Sequence, residues 1–396
     1  MTKYIFIYCN DKIGINNHII IASFLSLYST KNILIKYIKD EEEHFERSTL
    51  FVNSDGSEIE QSMGCYERIA GIKLGKNKDK NDISVYIFTN RERMNNMILS
   101  INNKVTTILV TNKISSDFEY NLIINKSKFK KINNIYNLPY YFHKQNYHKI
   151  LSQKINKIYK IPVFKSKFRV NIMVNHSKKS TYLSIQEALK HAAYYLNKDV
   201  SIKWIDVDCT KKEFINKLLK IKGGIIVPGG YGKDGFNNKL LAIKYARENN
   251  IPFLGICYGM QLAVIEYCRN VLNITDATTE EINNDNKNKN VIINSGKFRL
   301  GQDKGMIKDN TLAEKIYNSN KFTGRYRHKY IVNKKYERKL IENGLIISGY
   351  SHNNKIIEII EYPINKFFIG VQFHPELDTY ILKPNVLFVS FLNIFL

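Results

Sequence analysis

The sequence predicts an α/β fold in two domains, and three observations carry that expectation. From about residue 168 onward, β-branched and aromatic runs alternate with stretches whose apolar residues recur at helical spacing. A smaller set of strand-like runs lies near the N-terminus, and between about 112 and 160 the pattern dissolves into Lys/Asn-rich sequence. Strands alternating with helices imply a mostly parallel central sheet covered on both faces. The 396 residues suffice for two or three domains, and we place the boundaries at 1–165 and 168–396.

Taken in order, "KYIFIY" (3–8) reads as a buried strand and the apolar stretch 19–28 as a helix. "NILIKYI" (32–38) and "VTTILVT" (105–111) are further β-branched runs. Beyond 168, "FRVNIMVN" reads as a strand, 182–196 as an amphipathic helix, "VSIKWIDVD" (200–208) as a strand and "GGIIVPGG" (223–230) as another. "IPFLGI" (251–256) is a short buried strand, followed by an amphipathic helix over 259–269. "FFIGVQFHPE" (367–376) is an apolar strand stopped by Pro375. No internal repeat is visible.

Composition narrows the function classes. The formal charge of +24 would suit a polyanion partner if the basic residues formed one stripe, but Lys, Asn and Ile are spread over nearly every segment. A nucleic-acid partner is therefore not expected. The five cysteines (Cys9, Cys65, Cys209, Cys257, Cys268) are odd in number and contain no CxxC pair, so neither a disulfide framework nor a metal site is indicated. The N-terminus lacks a signal-peptide pattern, and the apolar stretches 19–28 and 386–396 fall short of the roughly 20 residues a spanning helix needs. A protein of the cytoplasm, without membrane association, is the expectation.

One cysteine stands at a chemically suggestive place. Cys257 lies at the joint between a strand and a helix, bracketed by Gly255 and Gly259, as a nucleophile does on a sharp turn. The helix N-terminus there favours a thiolate and offers N–H groups to an oxyanion. By itself such a residue is better explained as a buried apolar cysteine, as Cys268 is on the same helical face. A base decides between the two: His374 and Glu376 sit together at the end of the 367–376 strand. Thiol, imidazole and carboxylate at adjacent strand ends are the parts of a nucleophile–base–orienter triad. "VPGGYG" (227–232) adds glycines after a strand, where backbone amides can approach a tetrahedral oxyanion.

Together, "PGGYGKDGFNNK", "ARENNIPFLGICYGMQLAVIEYCRNVL" and "GVQFHPE" resemble the class I glutamine amidotransferase domain, in the form found in the CTP synthase family. "TYLSIQEALKHA" (181–192), "ATTEEI" (277–282), "FRLGQ" (298–302) and "RHKYIVN" (327–333) extend the match over about 168–396. The resemblance implies catalysis by Cys257, His374 and Glu376. It implies glutamine binding by Gly230, Tyr258, Gly259, Met260, Gln261, Glu281 and Lys329. Tyr258 stands where the family has a leucine, and Lys329 where it has an arginine, which removes a planar fork while keeping the charge.

Residues 3–7, 22–24 and 51–68 resemble the start of that family's ATP-dependent synthetase (amidoligase) domain, which folds around a phosphate-binding loop. Here the loop is eroded. "YCNDKIGINNH" retains only Gly14, Asn17 occupies the position of the lysine, and Ser62 that of a magnesium-binding aspartate. No counterpart of the family's Lys-Thr-Lys-Pro substrate loop is present, and the region is short; "IYKIP" (158–162) resumes the resemblance. The family reaction joins UTP, ATP and glutamine to give CTP, with magnesium, with GTP as activator, and in tetramers. Loss of the phosphate cradle removes much of the electrostatic stabilisation that the synthetase step needs. Two narrower expectations stand beside the full reaction: a glutaminase that delivers ammonia to a partner synthetase, and a non-catalytic homologue kept for assembly or regulation.

Overall fold

The computed structural model describes residues 166–175, 182–283, 289–353, 355–380 and 383–396, together with Gly56 and eight short strands before residue 126. The chain divides into two compact units, Met1–Pro162 with Tyr380–Leu382, and Val163–Thr379 with Lys383–Leu396.

In the first unit the strands are β1 (Tyr4–Tyr8), β2 (Asn32–Tyr37), β3 (Leu50–Val52), β4 (Glu58–Glu60), β5 (Leu74–Gly75), β6 (Ile83–Phe88), β7 (Thr106–Thr111) and β8 (Leu122–Asn125). Six of them form a sheet ordered β5-β6-β2-β7-β1-β8, and every pairing in it is parallel. β3 and β4 form a separate antiparallel pair. β1, β2 and β7 fall on the strands expected from the sequence. β8 was not anticipated, because a short apolar run flanked by Lys and Asn carries no period. The expected helix at 19–28, the "YCNDKIGINNH" loop with Gly14 and Asn17, Ser62, and "IYKIP" all lie outside the described residues.

The second unit is built on a mixed sheet of ten strands. Its elements run β9 (Lys167–Val174), α1 (Leu183–Tyr195), β10 (Asp199–Asp206), α2 (Lys211–Leu218), β11 (Gly224–Val227), α3 (Phe236–Glu248), β12 (Phe253–Ile256) and α4 (Tyr258–Asn270). They continue through β13 (Thr278–Thr279), β14 (Asn290–Ile307), α5 (Leu312–Tyr317), β15 (Lys321–Val332), α6 (Glu337–Glu342), β16 (Ile346–Ser351), β17 (Ile357–Glu361), β18 (Phe368–Val371) and α7 (Val386–Asn393). The order is β10-β9-β11-β12-β18-β17-β16-β14-β13, with β15 paired to β14. It is parallel from β10 through β18 and antiparallel from β18 to β15.

Local signals account for several of these elements. Thr210 caps α2 by accepting from the Glu213 N–H while Glu213 accepts from the Thr210 N–H, a reciprocal box that satisfies two helix-end donors. Along β11, Ile225 and Val227 face one core and Ile226 the other, as the two-residue period of a strand requires. The first core packs α2, α3 and α4 on one sheet face, and the second packs α1 and α7 on the opposite one. Burial on both faces explains why β11 and β12 read as continuous apolar runs. Helix α4 differs from the amphipathic helix expected: every residue from Tyr258 to Cys268 is buried. The sheet covers one side of it, α3 another, and β14 and β15 close the rest.

Candidate active site

Strands β11, β12 and β18 are parallel neighbours, so their carboxyl ends lie along one edge of the sheet. Gly229 and Gly230 follow β11, Cys257 follows β12, and His374 follows β18. That adjacency brings three segments distant in sequence to one place. Cys257 holds φ 50° and ψ −101°, a conformation that side-chain-bearing residues rarely adopt. Its N–H donates to the Val371 carbonyl at 2.7 Å, which ties the strained turn to the neighbouring strand. Helix α4 starts at the next residue, so its unpaired first N–H groups open beside the sulfur.

The bracketing glycines have a different role from the one expected. Neither takes a positive φ; the strain sits on Cys257 itself. A Cβ on Gly259 would lie 2.0 Å from the Val227 carbonyl oxygen, and one on Gly255 would lie 2.9 Å from the Gly259 backbone. They are glycine because strand and helix pass in near-backbone contact.

His374 lies three residues beyond the end of β18, not on the strand as expected. Gln372 and Phe373 turn into the interior, and Pro375 opens a 3-10 turn, Pro375–Leu377. That turn folds Glu376 back against the imidazole, with Glu376 Oε1 at 2.7 Å from His374 Nδ1. A Cβ on Gly229 would sit 2.8 Å from His374 Cε1 and 3.8 Å from Cys257 Cβ, so thiol and imidazole share one glycine wall. The second ring nitrogen, Nε2, is buried without a hydrogen-bond partner. Burial opposes charge on the ring, but Glu376 and the Cys257 sulfur outweigh it and raise the imidazole pKa to about 10. The pair is thus biased toward imidazolium. Burial pushes the Cys268 thiol, further along α4, up to about 12.

The other expected residues divide into two groups. Tyr258, Glu281 and Lys329 meet electrostatically. Burial raises the Glu281 carboxyl, with the Gly232 amide and Lys329 pulling it down, and Glu281 in turn helps raise the Tyr258 hydroxyl behind the larger effect of burial. The Tyr258 ring finds its room beneath Lys239, whose ammonium lies 5.6 Å from the ring centre, and its hydroxyl donates to the Gly232 carbonyl. Burial lowers Lys239 to about 8 against the pull of Asp208 and Asp234. The side chains of Met260 and Gln261 turn inward. Met260 packs in the first core, and Gln261 Nε2 donates to the Tyr330 carbonyl at 2.9 Å. In 259–261, therefore, only the main chain is left to face a ligand. Gly230 stands before the Tyr258 ring, which a Cβ at that position would meet at 3.5 Å, an ordinary van der Waals contact.

Sequence reasoning took Gly229 and Gly232 only as members of the "VPGGYG" glycine run, and it passed over Gln372. Gly229 directly precedes Gly230 and is the glycine that lies against the triad. Gln372, two residues before His374, is fully buried, and its Nε2 lies 3.6 Å from the Cys257 sulfur. Its place in "GVQFHPE" was the available signal: a polar residue inside an apolar run. Nearby, Arg299 stacks 3.5 Å over the Tyr326 ring and pairs with buried Glu358.

A family model for class I glutamine amidotransferases matches residues 179–394. The chain belongs to that family. It is a relative of CTP synthase: it is 41% identical over 291 residues to the CTP synthase of Borreliella afzelii, covering 66% of this chain and 54% of that protein. To the CTP synthase of Sulfolobus acidocaldarius it is 44% identical over 227 residues, covering 54% of this chain and 42% of that one. The chain thus spans about half the length of these relatives. Among solved structures, the glutaminase domain of Trypanosoma brucei CTPS with bound acivicin matches with TM-score 0.53 and 32% identity, over 57% of this chain and 92% of that one. Among the described residues, no helix is long and apolar enough to cross a membrane.

Proposed function

We propose that this amidotransferase hydrolyses glutamine at Cys257, His374 and Glu376 and passes the ammonia to an amination of the kind its CTP synthase relatives are named for. The 2.7 Å pairing of His374 with Glu376, beside a cysteine held at a strained strand–helix joint, carries the reading. The Cys257 thiolate attacks the side-chain amide carbon, and the oxyanion is received by N–H groups at the start of α4 and at Gly229–Gly230. His374 gives its proton to the departing nitrogen, ammonia leaves, and a thioester remains. Water, activated by the now neutral imidazole, releases glutamate and restores the thiol. Tyr258, Glu281 and Lys329 form the wall on which the amino-acid end of glutamine docks.

UTP is the acceptor by family resemblance, with ATP and magnesium at the N-terminal unit and GTP as activator in a homotetramer. The residues of this chain do not fit the phosphate and metal roles, because Asn17 and Ser62 replace a cation and a carboxylate. That observation favours a second reading, in which the ammonia serves a partner synthetase. One experiment separates the two. The purified protein is supplied with glutamine or free ammonia, plus UTP and Mg-ATP, and glutamate and CTP are measured in parallel. Glutamate without CTP supports the second reading, CTP from free ammonia supports the first, and the absence of glutamate in every condition defeats both.

A further inference from the structure

We propose that Gln372 is a catalytic hydrogen-bond donor to the Cys257 sulfur, held in the donating orientation by Gln261 and the Tyr330 carbonyl. The proposal rests on the reading of Cys257 as nucleophile. The orientation of the amide follows from the partners. The Tyr330 backbone oxygen can only accept, so the Gln261 atom 2.9 Å from it is the NH₂ group. The same NH₂ lies 3.1 Å from the Gln372 side chain, which must therefore present its oxygen there. Only the NH₂ of Gln372 is then left for the sulfur at 3.6 Å. Turning that amide over would set two donors against each other in a dry site and place an oxygen lone pair on the sulfur.

Both glutamines are built in. Gln372 is fully buried and Gln261 is 3% exposed. The Gln372 N–H donates to the Glu358 carbonyl at 2.8 Å, which fixes the backbone. A donor aimed at the sulfur stabilises the charged thiolate over the neutral thiol. The other titratable groups around it are His374 with Glu376 from the segment after β18, Tyr258 from α4, and His328 from β15. Burial, aided by Arg299 and His374, lowers His328 to about 3, so it stays neutral. The relay therefore supplies a pH-independent contribution beside the imidazolium, and it links the sulfur to the backbone next to Lys329.

The test uses the full chain and iodoacetamide, with alkylation followed on the peptide that carries Cys257. In Gln372→Leu, alkylation at neutral pH is expected to slow about tenfold, the worth of one hydrogen bond to a charged group, with the gap closing as pH rises. Gln372→Glu slows it further. In glutamate release, kcat falls in both variants while KM for glutamine holds. Profiles of Gln372→Leu and wild type that overlay at every pH overturn the proposal. Should that variant fail to fold, Gln261→Met, which frees the amide to flip, is expected to show an intermediate slowing, and an overlay there is equally fatal. A wild type that alkylates at Cys257 but releases no glutamate sinks the glutaminase reading alone, leaving the donor to be judged by alkylation.

Discussion

At the residue scale, the charge on His374 organises the site. Its pKa is raised from an ordinary 6.5 to about 10, so the stability it contributes is complete below about 6.5 and is lost as pH rises through about 10. Thermal melting of the wild type is expected to fall across that window, and Glu376→Gln should flatten the fall while lowering kcat for glutamate release at least about tenfold. Cys257→Ala should abolish release altogether and leave the fold in place. Lys329→Arg restores a planar fork opposite a carboxylate and should lower KM for glutamine a few-fold, with kcat unchanged. The candidate triad was legible in the sequence because Cys257 stands at a strand–helix joint and His374, with Glu376 two residues on, closes an apolar run with polar groups. Gln372 was not, since its role depends on which way two amides face, and no spacing encodes that.

At the element scale, the strand–helix joint leaves no room for a further methyl group. Gly259→Ala would drive one into the Val227 carbonyl and should destabilise the second unit by about 3 kcal/mol, measured by denaturant unfolding. Rescue by a second substitution is not expected, because the obstacle is backbone. The parallel strands from β9 to β12 were readable as apolar runs separated by helices. The antiparallel half, β14 to β17, was not. Its long strand β14 alternates buried and exposed residues irregularly and runs through charged sequence, so neither a buried run nor a clean period of two marks it. The end of β18 was misplaced for a related reason. Apolar character continues through Phe373, while the backbone has already left the ladder at Val371.

At the scale of the whole molecule, the two units differ in what the sequence preserves. The second matches the amidotransferase family over 179–394 and brings the candidate triad together, while the first carries a parallel sheet and a sequence poor in the groups that hold phosphate. Parallel measurement of glutamate and CTP reads that difference directly. The general basicity belongs to neither site, being spread along the chain. The bent backbone at Cys257 also sets a trade between folding and chemistry. Glycine would occupy φ 50° without strain, whereas alanine would not. Cys257→Gly should therefore melt a few degrees above Cys257→Ala while being equally inert. The strain at this one residue is therefore the folding cost of placing a side chain, and with it a thiol, at the joint.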